Sequence, residues 1–386
     1  MRRLTQIGFA AAVWLPPVIV VACSGEKTDD GGTAPSDEEL VIESLGDAAI
    51  SDTGGYIDFD VTIPDGAVST LAYCGGWGDE ALGAVWSLTD PSGAEVYTGD
   101  APDAGKFRSD YLDDFVPGLL PESPELPPTP GSWHVQWFVG AGSDGTATCG
   151  AVHRVDTVSD PGVVHVAFVF VGVDGIDATT APDDPQWQAA LAQFEAEWGN
   201  GRLSTNYEYA DFAGDVATYS VVDVADDDYS EFNDLLRTAE PAGARTITFF
   251  LVSEIVNQSA GGATILGLSG GPPGAAAVPG TSKSGVIVTL ADLAGSAEDI
   301  GKIMAHEGGH FLGLFHTTEK DGGRFDVLGD TPECDPSNDA NGNGQMNTDE
   351  CAALGSDNVM WWTLTSGTAA MSDDQSFVLR SNPIAD

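Results

Sequence analysis

One stretch constrains this chain more than any other: His306-Glu307-Gly308-Gly309-His310-Phe311-Leu312-Gly313-Leu314-Phe315-His316. Two histidines four apart on a helix lie one turn apart on one face, so both imidazoles reach a common point. Gly313 lets the backbone leave the helix through a conformation that a Cβ resists, and His316 can swing back to the same point. Three imidazoles meeting in this way ask for a metal ion, and zinc held by three protein ligands keeps a fourth position for water. Glu307, beside the first ligand, stands where it can take that water's proton. A bare H-E-x-x-H also arises by chance in amphipathic helices. Here, however, half of the six histidines in 386 residues fall within eleven positions, which a packing role does not explain. The expectation is a zinc site on His306, His310 and His316 with Glu307 as catalytic base. Its helix would open with Ser296 as N-cap and Glu298 and Asp299 in the first turn, and would pack through Ile300, Ile303 and Met304.

The extended pattern H-E-x-x-H-x-x-G-x-x-H resembles the metzincin clan of zinc endopeptidases, which place a methionine turn beneath the metal. Asn358-Val359-Met360, with Met360 lying 44 residues after His316, supplies such a turn. Asp330-Thr331-Pro332 narrows the resemblance to the pappalysin-like family, in which a D-T-P segment and an N-(V/F)-M turn recur. Residues 371–383 are similar to that family's final helix. The resemblance covers residues 163–383 and implies a zinc-dependent endopeptidase acting on protein or peptide, with Met360 supporting the metal base without ligating. Two positions after the methionine that family usually carries tyrosine; this chain has Trp362, so no oxyanion-holding hydroxyl is carried over. The resemblance also implies that residues 285–290, just upstream of the zinc helix, form an edge strand onto which an extended peptide adds. The Gly- and Pro-rich residues 261–285 read as a rim loop rather than a phosphate cradle, since no Gly-Lys-Ser/Thr follows them. A rival from another class stays open: a noncatalytic surface lipoprotein that binds extracellular protein or glycan through a peptidase-like domain.

A second ion site is legible between the third histidine and the methionine. Asp339, Asn341, Asn343 and Asn347 occupy positions one, three, five and nine of a twelve-residue loop, with Gly344 at six and Glu350 at twelve. That matches a calcium loop of the EF-hand type, with Gln345 contributing its backbone carbonyl. Only Asp339 and Glu350 bring charge to ligand positions, so binding should be weak. Pro332 and Pro336 exclude an ordinary entering helix. The competing reading is a solvated Asn/Gly turn clamped by Cys334 and Cys351.

The chain's start reads as an export segment. Met1-Arg2-Arg3 precedes an apolar run over residues 7–22, too short to span a bilayer, so residues 1–22 are taken as a signal peptide. The run ends Val20-Val21-Ala22-Cys23, which looks like a bacterial lipobox and makes Cys23 the lipid-bearing N-terminus; the alternative is an ordinary signal with an incidental cysteine. Residues 24–39 offer little to bury and read as a flexible tether. These features imply an extracytoplasmic cell-envelope lipoprotein, membrane-anchored or released. Fourteen basic against sixty acidic residues give a net charge of −46, which repels nucleic acid. Setting Cys23 aside leaves four cysteines, and three pairings are possible in an oxidising compartment. The simplest keeps each bridge within its own domain, Cys74–Cys149 and Cys334–Cys351; a competing reading makes Cys74 or Cys149 a thiolate plug on the zinc.

The fold class that follows is multidomain. Period-two alternation over residues 40–157 predicts an all-β antiparallel sandwich, with the six prolines of residues 117–130 in a surface connection. His134 and His153 read as surface or packing residues there, and the domain's role is open between substrate or surface binding and an N-terminal prosegment. Residues 160–386 change to α/β (α+β) grammar, which the resemblance makes a metzincin-like catalytic domain. Strands are expected over 163–171, 217–224, 246–252 and 285–290, and helices over 185–198 and 230–237, with Trp187, Leu191, Phe194 and Trp198 in the core.

Overall fold

The computed structural model describes residues 40–386 except 104, 144, 225–228, 240–244, 257–264 and 368. The signal segment, Cys23 and the tether lie outside the described residues. Alternating strands before residue 155 pair as two antiparallel sheets. One runs β1 (Leu40–Ala49), β9 (Thr146–Arg154), β3 (Ser69–Gly75), β7 (Phe115–Leu120); the other runs β2 (Gly55–Ile63), β8 (Gly131–Val139), β4 (Leu82–Thr89), β5 (Glu95–Thr98), with β6 (Leu112–Asp113) beside β4. Alternate side chains of β2 and β8 point into a core that also contains Trp77 and in which Trp133 and Trp137 lie. Cys74 on β3 faces Cys149 on β9 and is bonded to it, which leaves neither thiol free to plug a metal. Cys334 is bonded to Cys351.

The proline-rich stretch is not wholly a surface connection. Pro117 lies within β7, whose six residues are all buried. The strand tolerates it because β7 is an edge that pairs only with β3, so one flank needs no donor. The other flank turns toward the second half of the chain, where Leu119 joins that half's core.

After residue 161 the chain builds a sheet in the order β11 (Leu203–Asp211), β10 (Gly162–Val171), β13 (Thr246–Val252), β16 (Val286–Thr289), β15 (Gly267–Ser269). The first four are parallel and β15 is antiparallel. Helices α1 (Pro185–Asn200) and α4 (Leu293–Phe311) share one core with the sheet, and α3 (Ser230–Arg237) packs against Phe250, Val252 and Ile287 in another. Asp184 caps α1 by accepting from the Gln186 and Trp187 amides, and Trp187, Leu191, Phe194 and Trp198 are buried as expected.

Three expectations need correction. Residues 217–224 are not a strand of the main sheet: α2 (Val216–Tyr219) is followed by β12 (Val221–Asp223), which pairs with β14 (Glu254–Val256) in a separate ladder. The second strand of the main sheet is β11, a largely exposed edge whose polar sequence hides it. Residues 285–290 are not an edge: β16 has β13 on one side and β15 on the other, so among the described residues the edge on that side belongs to β15. Finally, α4 begins at Leu293 rather than Ser296, but Ser296 has non-helical angles (φ −143°, ψ 48°) and breaks its first turn from the rest.

Candidate metal centre and active site

Packing brings α4 to its place before any ligand is considered. It crosses α1 so closely that a Cβ on Gly301 would lie 2.3 Å from the Ala190 carbonyl oxygen, and Trp198 Nε1 donates to Ala305 O at 3.1 Å. The two residues between the helical histidines are glycine for the same reason. A Cβ on Gly308 would meet the Trp198 ring at 2.6 Å, and one on Gly309 would meet Met360 Sδ at 2.7 Å. The helix then ends in a Schellman turn: Gly313 N–H donates to His310 O, Leu314 N–H donates to Gly309 O, and Gly313 takes φ +106°. This reversal carries His316 back to the helix.

His306, His310 and His316 converge, their ligand atoms all within 4.8 Å of one another, the one such group of three His, Cys, Asp or Glu among the described residues. Each ring is oriented through Nδ1. His306 donates to Val359 O at 2.8 Å, His310 to Leu314 O at 2.7 Å, and His316 to Glu319 Oε2 at 2.8 Å. Carbonyl oxygens only accept, so the proton of His306 and His310 sits on Nδ1 and Nε2 keeps a bare lone pair. Burial, with the neighbouring imidazoles, pushes His306 down to about 3 and His310 well below the ordinary histidine range, so neither takes a second proton. The Nε2 atoms nevertheless lie 3.2 Å apart for His310 and His316 and 3.3 Å apart for His316 and His306. The bare lone pairs of His306 and His310 thus face the Nε2 of His316, an arrangement that one cation among the three nitrogens satisfies. Nitrogens held tetrahedrally at about 2.0–2.1 Å from one zinc would be about 3.3 Å apart, so the residues fit that ion.

Glu307 is half-buried, and desolvation raises its carboxyl to about 8 against a smaller opposing effect of the Ser269 backbone. β15 runs directly beside it: a Cβ on Gly267 would lie 2.7 Å from Glu307 Cγ. The outer strand and the acid are therefore neighbours because Gly267 has no side chain.

Met360 lies fully buried under the helix. Its turn is held by Asn358, whose Oδ1 accepts from Met360 N at 2.8 Å and whose amide exchanges two hydrogen bonds with Gln375 of α5 (Asp373–Ser381). Trp362 turns elsewhere, donating Nε1 to Met346 O at 2.7 Å and packing beneath the loop of residues 339–350. In that loop Asp339 accepts from the Gly342, Asn343 and Gly344 amides, and Glu350 accepts from the Asn341 and Asn347 amides. Asn341 and Asn343 accept from the amides two residues on, while Asn347 Oδ1 accepts from Asp349 and Glu350; Gln345 enters through its backbone N–H to Asn343. The approach to the loop is a short 3-10 turn over Pro336–Asn338, as its prolines require.

The D-T-P segment fastens α5 to the cleft wall. Asp330 Oδ2 accepts from Asp374 N at 3.0 Å, and Thr331 Oγ1 donates to Asp326 Oδ1 at 2.7 Å. The other Asp326 oxygen has no partner among the described residues, and burial pushes this carboxyl up to about 7. Because the folded value lies above the unfolded one, the unfolded state releases its proton first, and the chain loses stability as pH rises from about 4 to about 7. Asp326→Asn lacks that loss. Its stability relative to the parent should shift in its favour by roughly 2–3 kcal/mol between pH 5 and pH 8, read by urea unfolding at both pH values. An unchanged difference would contradict the assignment.

Two groups were not anticipated from sequence. Glu319 takes up the third histidine, and its separation of three residues from His316 was the available signal. Arg108, from the sandwich, bonds Glu319 in turn and left no sequence signal.

The chain matches no known protein-family model and no curated protein. Among solved structures, metalloproteinase-II from Bacteroides fragilis is similar at 15% identity and TM-score 0.27, covering 45% of this chain and 54% of that one. The chain thus spans about half the length of that protein. The N-terminal modules of endo-1,4-β-D-xylanase 10B from Clostridium thermocellum, complexed with xylohexaose, are similar at 9% identity and TM-score 0.19, covering 39% of this chain and 33% of that one. Overlaps this partial carry no weight for the chemistry, which rests on the geometry of the site.

Proposed function

We propose that this chain is a zinc-dependent endopeptidase of metzincin type, with a pappalysin-like site. The observation that carries the reading is the set of three Nε2 atoms turned on one another while every Nδ1 is bonded elsewhere. His306, His310 and His316 hold the ion, and Met360 packs beneath them. Zinc bound there supplies Lewis-acid polarisation of the scissile carbonyl and a positive charge that favours the ionised carboxylate of Glu307. Glu307 takes the proton of the attacking water and delivers it to the leaving amine. The exposed edge of β15, beside Glu307, takes an extended protein or peptide by strand addition, and the missing side chain of Gly267 leaves the acid room next to it. Incubation with a quenched peptide library tests this. Cleavage abolished by a zinc chelator is expected, whereas one bound zinc without any cleavage would favour the noncatalytic binding role.

The loop of residues 339–350 is proposed to bind calcium weakly through Asp339, Asn341, Asn343, Gln345, Asn347 and Glu350. Its inward-folded oxygens and the buried Met346 support this. Millimolar calcium should raise the melting temperature of the calcium-stripped protein and release heat on titration; silence in both would remove the site. Export with lipid attachment at Cys23 is proposed on the lipobox and on two disulfides that suit an oxidising compartment. Mass spectrometry of the mature N-terminus decides it: an unmodified cysteine, or none, is the contrary result.

A further inference from the structure

We infer that Arg108, contributed by the β-sandwich, positions the third zinc-binding histidine, so that the metal site is completed by both halves of the chain. The inference rests on the zinc reading above and adds a residue and a role to it. Arg108 lies in the connection between β5 and β6, yet its guanidinium reaches across to the segment that follows the metal helix. Nη2 donates to Glu319 Oε1 at 2.7 Å and Nη1 donates to Phe325 O at 3.0 Å. The guanidinium plane also covers the Phe315 ring at 4.5 Å from its centre, next to His316 in sequence. Arg108 is 5% exposed, and its remaining contacts are to Asp110 on its own loop. Its backbone N–H is held in turn by Glu122 Oε2 at 2.7 Å.

The consequence lies in how Glu319 is used. One oxygen accepts from Arg108 and the other from His316 Nδ1, so the carboxylate is fixed at both ends and the imidazole is aimed by it. His306 and His310 need no such help, since rigid backbone carbonyls orient them. His316 lies beyond the helix, on a segment without regular structure, and is oriented by a side chain that rotates freely unless something anchors it. A planar guanidinium that holds Glu319 through Nη2 and Phe325 O through Nη1 at once suits that task better than a lysine would. Groups that orient metal-bound histidines typically change metal affinity 10–100-fold when removed.

A second ionic contact between the same two halves, made through Asp113 and Asn233 rather than Glu319, provides a control. Lys283 pairs with Asp113 on β6, and Asn233 Nδ2 donates to Asp113 Oδ2 at 2.8 Å. On this inference, cutting before residue 160 would take Arg108 away and weaken the metal site.

The test is zinc affinity of the full chain, measured by competition with a chromophoric chelator, for the parent, Arg108→Gln, Glu319→Gln, the double variant and Lys283→Met. Arg108→Gln should weaken zinc binding about tenfold or more, and the double variant should be no weaker than Glu319→Gln alone. Lys283→Met should stay within about twofold of the parent. Arg108→Lys, which keeps the cation and is the safer fold, should fall between the parent and Arg108→Gln. Visible absorption of the cobalt-substituted forms should change for Arg108→Gln and not for Lys283→Met. Parental affinity in both Arg108 variants, additive losses in the double variant, or an equal loss in Lys283→Met would each overturn the inference and leave the zinc site standing. A parent chain that binds no zinc would overturn both.

Discussion

Glu307→Gln is expected to keep one zinc per chain and to lower kcat/KM for peptide cleavage by roughly 10³–10⁴-fold, the upper range for a lost general acid–base group. The substitution is nearly isosteric. The side chain still fills the space beside Gly267 and Ile303. What it cannot do is hold a proton between water and leaving amine, and the same group is needed at both moments, so no other residue inherits half of the work. The ligands, being His306, His310 and His316, are untouched, so zinc content measured on the same sample separates a chemical loss from a structural one. Near-parental cleavage in a zinc-replete Glu307→Gln chain would show that another group moves the proton.

His310→Ala should do more damage to the molecule as a whole. His310 is the buried ligand of the three, and its truncation leaves Leu314 O without its donor and opens a hole in the floor of the site. Measurable zinc binding at micromolar zinc is expected to disappear, and cleavage with it. Stability tells the same story. A ligand at a thousandfold over its dissociation constant stabilises the folded state by about 4 kcal/mol, so a zinc-selective chelator, with calcium kept present, should lower the parent's unfolding midpoint markedly and leave that of His310→Ala unmoved. Equal chelator shifts in the two proteins would mean that the metal sits somewhere else.

The helix, the glycine that ends it and the returning third histidine were legible in advance because each is a local consequence of spacing: one turn between His306 and His310, and Gly313 where the helix must reverse. The disulfides followed from keeping partners within one half of the chain. Strand order was not legible, since no local pattern separates β16, paired on both sides, from the true edge β15, three residues long and set within a Gly- and Pro-rich stretch. β11 escaped for a related reason. As an exposed edge it carries Ser, Thr, Asn and Glu where a central strand would carry Val and Ile. Pro117 misled in the opposite direction, because the rule that bars proline from strands lapses on an edge. The partners that aim the imidazoles were least accessible. Val359 O and Leu314 O are backbone atoms, and Arg108 stands 211 residues from the glutamate it holds.

The central claim is that three histidines hold one zinc in an open site. Zinc-edge X-ray absorption on the purified full chain, with zinc counted per chain on the same sample, tests it most directly. One zinc, with three imidazoles and a further light-atom ligand at about 2.0–2.1 Å, is the result expected. No zinc, or zinc with sulfur neighbours at about 2.3 Å, would contradict it.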